Sequence, residues 1–342
     1  MTKLSIPGKL FLAGEYAITS PGHTAILAAT SMGLTIDIST ATTTSSVRSN
    51  IIPTPWHFDI AKPIQIGADA WRYVQAAIKI VQDYQAFQCQ PITTQVQLTI
   101  HSTLNGPMGK LGLGSSAAVV VGIVSALNVH YALNLSLLTR FKLAGLAHYF
   151  VQKNGSLGDI AASTFGGVIS FNSPDLSQLV DLDQPWINPA VIDQPWPNLQ
   201  ITPLAWPAQW RILLGATHES ADTKTALQNL TLSSSFLTAS QKCVAESIAA
   251  ITASDYPTFA KALQRNQSLL QATLPAGYVT PKLAQLLANL GNHAGKISGA
   301  GYGDNGFAVV MDDAATLITN WQAAGLMTIP MTIFPENEVN HE

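Results

Sequence analysis

The residues with the clearest chemical potential form a glycine- and serine-rich loop at residues 110–118, which reads Lys-Leu-Gly-Leu-Gly-Ser-Ser-Ala-Ala. Glycine lets a backbone approach a ligand closely, and free amides at the start of a following helix bind phosphate. The serine hydroxyls could also reach a magnesium ion that bridges phosphates. The loop is not a Walker motif, because no lysine follows its last glycine, and its spacing is not that of a Rossmann fingerprint. It predicts a phosphate site; the alternative is a tight turn before a buried helix.

Two further segments combine glycine with a lysine and an acid. Residues 7–16 read Pro-Gly-Lys-Leu-Phe-Leu-Ala-Gly-Glu-Tyr, and residues 296–306 read Lys-Ile-Ser-Gly-Ala-Gly-Tyr-Gly-Asp-Asn-Gly. A core strand has no use for Lys9 beside a glycine, although a solvated surface lysine is the ordinary alternative. Lys296 could bind an anion or be a solvated strand end. The two segments are therefore further candidates for an anion site.

Asp159 is the candidate carboxylate. It follows a predicted helix and a Gly-Ser turn formed by Gly155 and Ser156, where a polar group can face a cleft. The competing role is that of a cap on the next helix. His148, on the preceding helix, is more often a hydrogen-bonded core histidine than a ligand.

Hydrophobic periodicity predicts the elements that position these residues. Strands are expected at residues 10–13, 34–39, 93–101, 166–171, 210–216, 307–311 and 326–334. Helices are expected at residues 68–84, 115–133, 137–152, 235–253, 256–273, 281–293 and 314–324. Residues 172–210 are rich in proline and tryptophan and are predicted to connect two domains. The order of elements indicates an α+β protein.

Composition excludes several classes of protein. The chain has 342 residues, of which 47% are hydrophobic and 11% charged, so it can bury a large core and is not disordered. A net charge of −3 argues against a general nucleic-acid binder. The two cysteines lie far apart, so a disulfide framework and a cysteine zinc site are unsupported. No signal peptide and no apolar run of ~20 residues is visible, which predicts a cytoplasmic protein with no membrane partner.

At the three glycine-rich segments together, the sequence resembles the GHMP kinase superfamily, whose three motifs occur here in order between residues 7 and 306. The resemblance implies an N-terminal domain of the ribosomal-protein-S5 type over residues 1–185 and a C-terminal ferredoxin-like α/β sandwich over residues 195–342. The active site would then lie in the cleft between the two domains.

Within the superfamily, the sequence is most similar to the phosphomevalonate kinase subfamily. Residues 8–16 carry its Gly-Lys-Leu-Phe-Leu-Ala-Gly-Glu-Tyr form, and residues 147–161, 196–207 and 214–223 resemble its later segments. The resemblance implies transfer of the γ-phosphate of ATP, with Mg²⁺, to the small molecule 5-phosphomevalonate, in a monomer or homodimer. Two alternatives stay open: mevalonate kinase or another small-molecule kinase of the superfamily, and a non-catalytic homologue that senses a metabolite.

The resemblance also assigns roles to residues. Lys9 and Asp159 would be catalytic, and Ser116 would bind the metal. The residues expected to bind the nucleotide are Lys110, Gly112, Leu113, Gly114, Ser115, Ser116 and Ala117. The residues expected to bind the acceptor are Lys9, Gly155, Ser156, Ser298, Gly299, Ala300, Gly301 and Asp304. Many superfamily members carry a magnesium-binding glutamate before the catalytic aspartate, whereas residues 146–152 contain no acid here and His148 is the nearest candidate.

Overall fold

The computed structural model describes residues 1–106, 109–181, 183–219 and 230–336, and residues 221–223 of the resemblance therefore lie outside the described residues. The strands are β1 (Thr2–Ala13), β2 (Thr24–Thr40), β3 (Ser45–Ser49), β4 (Trp56–Phe58), β5 (Val96–Ser102), β6 (Asn105–Gly106), β7 (Gly109–Lys110), β8 (Val168–Asn172), β9 (Gln200–Leu204), β10 (Arg211–Ala216), β11 (Ala294–Ile297), β12 (Asn305–Val310) and β13 (Met327–Met331). The helices are α1 (Arg72–Phe87), α2 (Ser115–His130), α3 (Leu137–Gln152), α4 (Gly158–Phe165), α5 (Ser234–Ala253), α6 (Tyr256–Thr273), α7 (Pro281–Ala288) and α8 (Ala315–Ala323).

A large sheet organises the N-terminal half. Its strands run in the order β4-β3-β5-β2-β8-β9, with β1 paired to β2 along nearly the whole of its length. The pairings are antiparallel apart from that of β3 with β5. The register of β1 shifts between Pro7 and Gly8, and such a bulge re-aims the side chains that follow it. The next residue, Lys9, is the lysine of the first glycine-rich segment.

Helices α1 to α4 cover this sheet. Helix α2 contacts β1 and β2 and also packs on α1, α3 and α4. Its side chains are buried on nearly every face, as expected for a helix that is apolar all round. The helix that begins at the glycine-rich loop is thus fixed in the centre of the N-terminal core.

A second sheet has the order β11-β12-β10-β13, with every pairing antiparallel. Helix α6 packs on α5 and on β11, and α7 contacts β11 and β12. Trp321 of α8 is fully buried, and its indole Nε1 donates to the Leu286 carbonyl of α7. Among the described helices, none is long and apolar enough to cross a membrane.

The two sheets are joined by the end of the described chain. After β13, Ile333 forms a bridge to Thr30 of β2, and the Phe334 amide donates to the Ala29 carbonyl at 2.9 Å. The Gly167 amide, just before β8, donates to the Phe334 carbonyl at 2.9 Å. A strand of the second sheet therefore continues into a segment that pairs with the first.

Most predicted elements are confirmed, with ends shifted by a few residues. The predicted helix 281–293 ends at Ala288, and β1 begins at Thr2, well before the predicted strand 10–13. The missed elements are β3, β4, β6, β7, β9, β11 and α4, and β2 begins at Thr24, well before the predicted strand 34–39. Strand β9 lies within residues 172–210, which the sequence predicted to connect two domains. The strand was missed because it contains a proline, and proline within a sheet is confined to positions such as an edge strand. The domain limits at 185 and 195 stay a prediction.

Candidate active site

A cleft of about 640 Å³ lies where the three glycine-rich segments meet the loop between α3 and α4. Sequence-predicted residues that line it are Lys9, Gly112, Gly155, Ser156, Asp159, Ser298, Gly299, Ala300 and Asp304. Leu113, Gly114 and Gly301 are outside its lining but in the same loops, and Ser115, Ser116 and Ala117 are outside it in the first turn of α2. Lys110 lies in β7, and its side chain lies outside the described part of the structure.

Lys9 is the cation at the junction of these segments. Its backbone amide donates to the Leu113 carbonyl and its ammonium Nζ donates to the Gly112 carbonyl, both at 2.9 Å. Burial lowers the pKa of Lys9, and the negative charges of Asp159, Asp304 and Glu15 act in the opposite direction. The lysine is therefore a tethered cation among acids, and not the solvated surface residue that was the alternative.

The glycines of the central loop make room for Lys9 and for the third segment. Gly114 has φ +76°, and a Cβ there would lie 2.8 Å from Cγ of Lys9. Gly112 has φ +70°, and a Cβ there would lie 2.5 Å from Nδ2 of Asn305, which donates to the Leu111 carbonyl. A tight turn before a helix would require neither the contact of Gly114 with Lys9 nor that of Gly112 with Asn305. The conformation of the loop is therefore matched to the residues that pack against it.

Helix α2 starts with backbone amides that have no partner among the described residues. Gly114 is its N-cap, and no side chain among the described residues caps it. Ser115 and Ser116 both lie inside the first turn, so neither is the N-cap. The hydroxyl Oγ of Ser116 instead lies 3.0 Å from Nε2 of His148. The amides of residues 115–117 have no intrahelical acceptor and can bind an anion.

Asp159 lies in the first turn of α4 and lines the cleft. Its Oδ1 accepts a hydrogen bond from the amide of the next residue, Ile160, at 2.9 Å, whereas the N-cap of α4 is Leu157 and no side chain among the described residues caps it. Ser156 Oγ accepts from the Gly158 amide at 3.3 Å. Leu157, between them, has φ +66°, in a region that favours glycine. Asp159 therefore lines the cleft while one of its oxygens is hydrogen-bonded to the first turn of its own helix, and it is not the cap that was the competing role.

The third segment is fixed to β1 by side chains. Oγ of buried Ser298 donates to the Phe11 carbonyl at 2.9 Å and accepts from the Phe11 amide at 3.0 Å. The hydroxyl of Tyr16 donates to the Ala300 carbonyl. Gly301 has φ +73°, and a Cβ there would lie 2.2 Å from the ring of Tyr278. The segment thus holds a defined backbone over the cleft, with Ser298 serving as its anchor.

Lys296 differs from both of its sequence interpretations. It is 0% exposed and forms an ion pair with Glu15, which is 2% exposed. It also donates to the Ile297 carbonyl at 2.6 Å. Burial lowers the pKa of Lys296, and Glu15 opposes that shift. Lys296 therefore neither faces solvent nor presents a free charge; it joins β11 to the segment that follows β1.

The donor set suits a nucleotide bound with Mg²⁺. The amides of residues 115–117, which have no partner among the described residues, follow two positive-φ glycines and can bind phosphate. Within the described residues, no group of three or more His, Cys, Asp or Glu side chains could hold a metal alone. The available oxygen ligands are single groups such as the Ser116 hydroxyl and the Asp159 carboxylate. Mg²⁺ is commonly bound by one or two protein oxygens together with substrate phosphates, which fits this arrangement.

Three contacts in the site were not predicted from the sequence. The pairs Ser116–His148 and Glu15–Lys296 join residues 32 and 281 positions apart. The stacking of His148 on Tyr73, with ring centroids 5.2 Å apart, joins α3 to α1. The sequence offered one indication of these contacts: His148 and Lys296 are polar residues within otherwise apolar segments.

Comparisons with known proteins agree with this geometry. Residues 72–167 match the family described as GHMP kinases N terminal domain, and residues 247–325 match GHMP kinases C terminal. A phosphomevalonate kinase from Streptomyces sp. (strain CL190) is 31% identical, over 95% of both chains.

Solved structures are similar along the whole chain. The Streptococcus pneumoniae phosphomevalonate kinase in complex with phosphomevalonate and AMPPNP superposes with a TM-score of 0.88 at 25% identity, covering 98% of this chain and 100% of that one. A Lin0012 protein from Listeria innocua gives a TM-score of 0.89 at 28% identity, with 98% of each chain covered.

Proposed function

The chain belongs to the GHMP kinase family, and from that premise we propose that it transfers the γ-phosphate of ATP to (R)-5-phosphomevalonate. The products are (R)-5-diphosphomevalonate and ADP, a step of the mevalonate pathway of isoprenoid biosynthesis. The similar proteins from Streptomyces and Streptococcus pneumoniae carry the name phosphomevalonate kinase, which supports this choice of acceptor. We propose residues 1–185 and 195–342 as the two domains.

The observation that carries the proposal is the environment of Lys9. Its ammonium lies at the meeting point of the nucleotide loop and the third segment, held by the Gly112 carbonyl. Two anions, the γ-phosphate of ATP and the acceptor phosphate, must come together for this reaction. A fixed cation between the two loops that bind them would reduce their repulsion.

The acceptor sets what Asp159 has to do. An alcohol needs a base to take its proton, whereas a phosphomonoester has a second pKa of ~6 and is mostly dianionic at pH 7. It can attack without a general base. We assign Asp159 to orienting Lys9 or a hydroxyl of the acceptor, and we assign Gly155, Ser156 and the backbone of residues 298–301 to holding the acceptor.

ATP would be held by the amides and glycines of residues 112–117. Bound Mg²⁺ would supply positive charge to the nucleotide phosphates, and Ser116 is the proposed protein ligand. Both assignments follow from the free amides at the start of α2 and from the hydroxyl in its first turn. We propose that the protein acts in the cytoplasm. We also propose that it is a monomer or a homodimer.

A panel of acceptors tests the function. ADP release is measured with 5-phosphomevalonate, mevalonate, galactose and homoserine at equal concentrations. We expect turnover with 5-phosphomevalonate and almost none with mevalonate. Efficient use of mevalonate would favour the hydroxyl-kinase alternative. Nucleotide binding with no ADP release for any acceptor would favour a metabolite sensor. Lys9→Met, purified in the same way, controls for contaminating kinases.

A further inference from the structure

His148 faces the start of α2 from the neighbouring helix α3. Its Nε2 lies 3.0 Å from Oγ of Ser116, and its ring stacks on Tyr73 of α1 at an interplanar angle of 29°. The side chain is 2% exposed, yet it contributes to the wall of the cleft. Contacts from α1 and α2 thus fix the imidazole and aim one ring nitrogen at a single hydroxyl.

A serine hydroxyl has one proton and two lone pairs, so its partner decides what it offers to a ligand. If the Ser116 hydroxyl donates its hydrogen bond to His148, the Ser116 oxygen has only lone pairs left for a ligand, so it can accept a hydrogen bond or bind a metal ion. If His148 donates instead, the Ser116 proton is free to bond a phosphate oxygen. In the first arrangement Ser116 can bind a cation, and in the second it can donate to a phosphate.

The surroundings favour the first arrangement. Phosphate donors are plentiful here, because the first-turn amides of α2 are unpaired and Lys9 is adjacent. Oxygen ligands for a cation are fewer, since the described residues contain no group of three or more acids, histidines or cysteines that could hold a metal alone, and Asp159 already uses one oxygen on the Ile160 amide. A hydroxyl that donated to phosphate would repeat what the amides already provide, whereas one with a free lone pair adds a protein oxygen for the metal.

We propose that His148 is a positioning residue: its Nε2 accepts a hydrogen bond from the Ser116 hydroxyl and thereby orients the Ser116 oxygen as a ligand for the nucleotide-bound magnesium ion. The inference rests on the proposed function for the presence of that ion. His148 itself touches neither the metal nor the phosphates.

The test compares two side chains of nearly equal size. His148→Gln keeps an oxygen acceptor, and His148→Met removes it. ATP binding is measured by calorimetry with excess Mg²⁺ and again in EDTA, and the ratio of the two dissociation constants gives the magnesium coupling. We expect His148→Met to lose at least roughly tenfold in that coupling, about 1.4 kcal/mol. Binding of metal-free ATP should not change, and His148→Gln should recover most of the coupling.

Controls separate positioning from packing. Phe141→Leu alters a fully buried residue of the same helix outside the cleft lining, so it should lower the melting temperature and leave the magnesium coupling unchanged. In a Ser116→Ala background, changing His148 should have no further effect on coupling.

Equal losses of metal-free and magnesium-bound affinity in His148→Met would overturn the proposal, as would full coupling in that variant. If neither His148 variant folds, Ser116→Ala decides alone, and unchanged coupling in it overturns the inference. These binding results are independent of the acceptor panel, so a failure of the proposed acceptor is recognised separately.

Discussion

At the scale of single residues, the site concentrates opposite charges around one lysine. Lys9 loses hydration through burial, which lowers its pKa, and the nearby Asp159, Asp304 and Glu15 partly restore its preference for the charged form. A cation in this state is held by geometry and by its neighbours' charges together. Its reactivity is therefore sensitive to substitutions that leave Lys9 itself in place.

Lys9 should matter more for turnover than Asp159. A phosphate acceptor needs charge neutralisation more than proton removal, so Lys9→Met should cost at least roughly tenfold more in kcat than Asp159→Asn, about 1.4 kcal/mol of barrier. Steady-state rates with 5-phosphomevalonate measure the difference. A larger loss in Asp159→Asn, together with good use of mevalonate, would instead indicate that Asp159 acts as a base toward a hydroxyl.

The alkaline limit of activity should report the charge of Lys9. Because burial lowers its pKa from 10.5, the cation should be lost, and kcat/KM should fall, at a lower pH than for a free lysine. Asp159 raises that pKa, so Asp159→Asn should move the alkaline limb to still lower pH. Lys9→Arg should remove the limb, since a guanidinium stays charged. Circular dichroism at each pH verifies that the fold persists; a limb that does not move in either variant contradicts the assignment.

At the scale of elements, the loops around the cleft pack closely because glycines stand where a side chain would overlap with the neighbouring segment. Gly112 admits Asn305 of the third segment, and Gly114 admits the aliphatic part of Lys9. Sequence periodicity located α2 and the glycines before it, since their apolar and small residues form a continuous pattern. It could not show which glycine faces which partner, because Gly112 and Asn305 lie nearly 200 residues apart and Gly114 and Lys9 more than 100.

Gly114→Ala should inactivate the enzyme without unfolding it. The added Cβ would displace Lys9, and the positive φ adds about 1–2 kcal/mol of strain. Gly325→Ala is the matched control: it has the same φ of +76° and nothing within 4 Å of the added Cβ. Both variants should melt lower by similar amounts, whereas only Gly114→Ala should lose most of its turnover. Equal activity in the two variants would show that the space beside Lys9 is not needed.

At the scale of the whole molecule, the first and third segments are joined by the buried ion pair Glu15–Lys296. The sequence predicted most of the fold, since long amphipathic or apolar helices and strands carry their own periodic signal. It did not predict α4, β3, β4 or β11, which are short, nor the pairing of Lys296. Lysine is rarely buried, and only the position of Glu15 across the fold makes its burial possible.

Removing one member of this pair should destabilise the protein strongly. Lys296→Met leaves the Glu15 carboxylate buried without its cation and should lower the free energy of unfolding by about 3–5 kcal/mol. The double variant Glu15→Gln with Lys296→Met should recover much of that loss. Arg265→Met breaks the more exposed pair of Arg265 with Glu246 and should cost less than about 1 kcal/mol. Denaturant melts measure all three; equal effects of Lys296→Met and Arg265→Met would contradict the buried pair.

The segment that follows β13 also sets a time at which the protein can finish folding. Residues 29–31 of β2 find hydrogen-bonding partners at residues 332–334, and the Thr332 amide reaches Ser31 across 301 positions of the chain. At a synthesis rate of ~5–20 residues per second, roughly 15–60 s separate the two strands' emergence from the ribosome. Throughout that interval, the middle of the longest described strand presents unpaired backbone groups on this edge. We therefore expect a nascent chain to be open to mispairing and chaperone binding at residues 29–31.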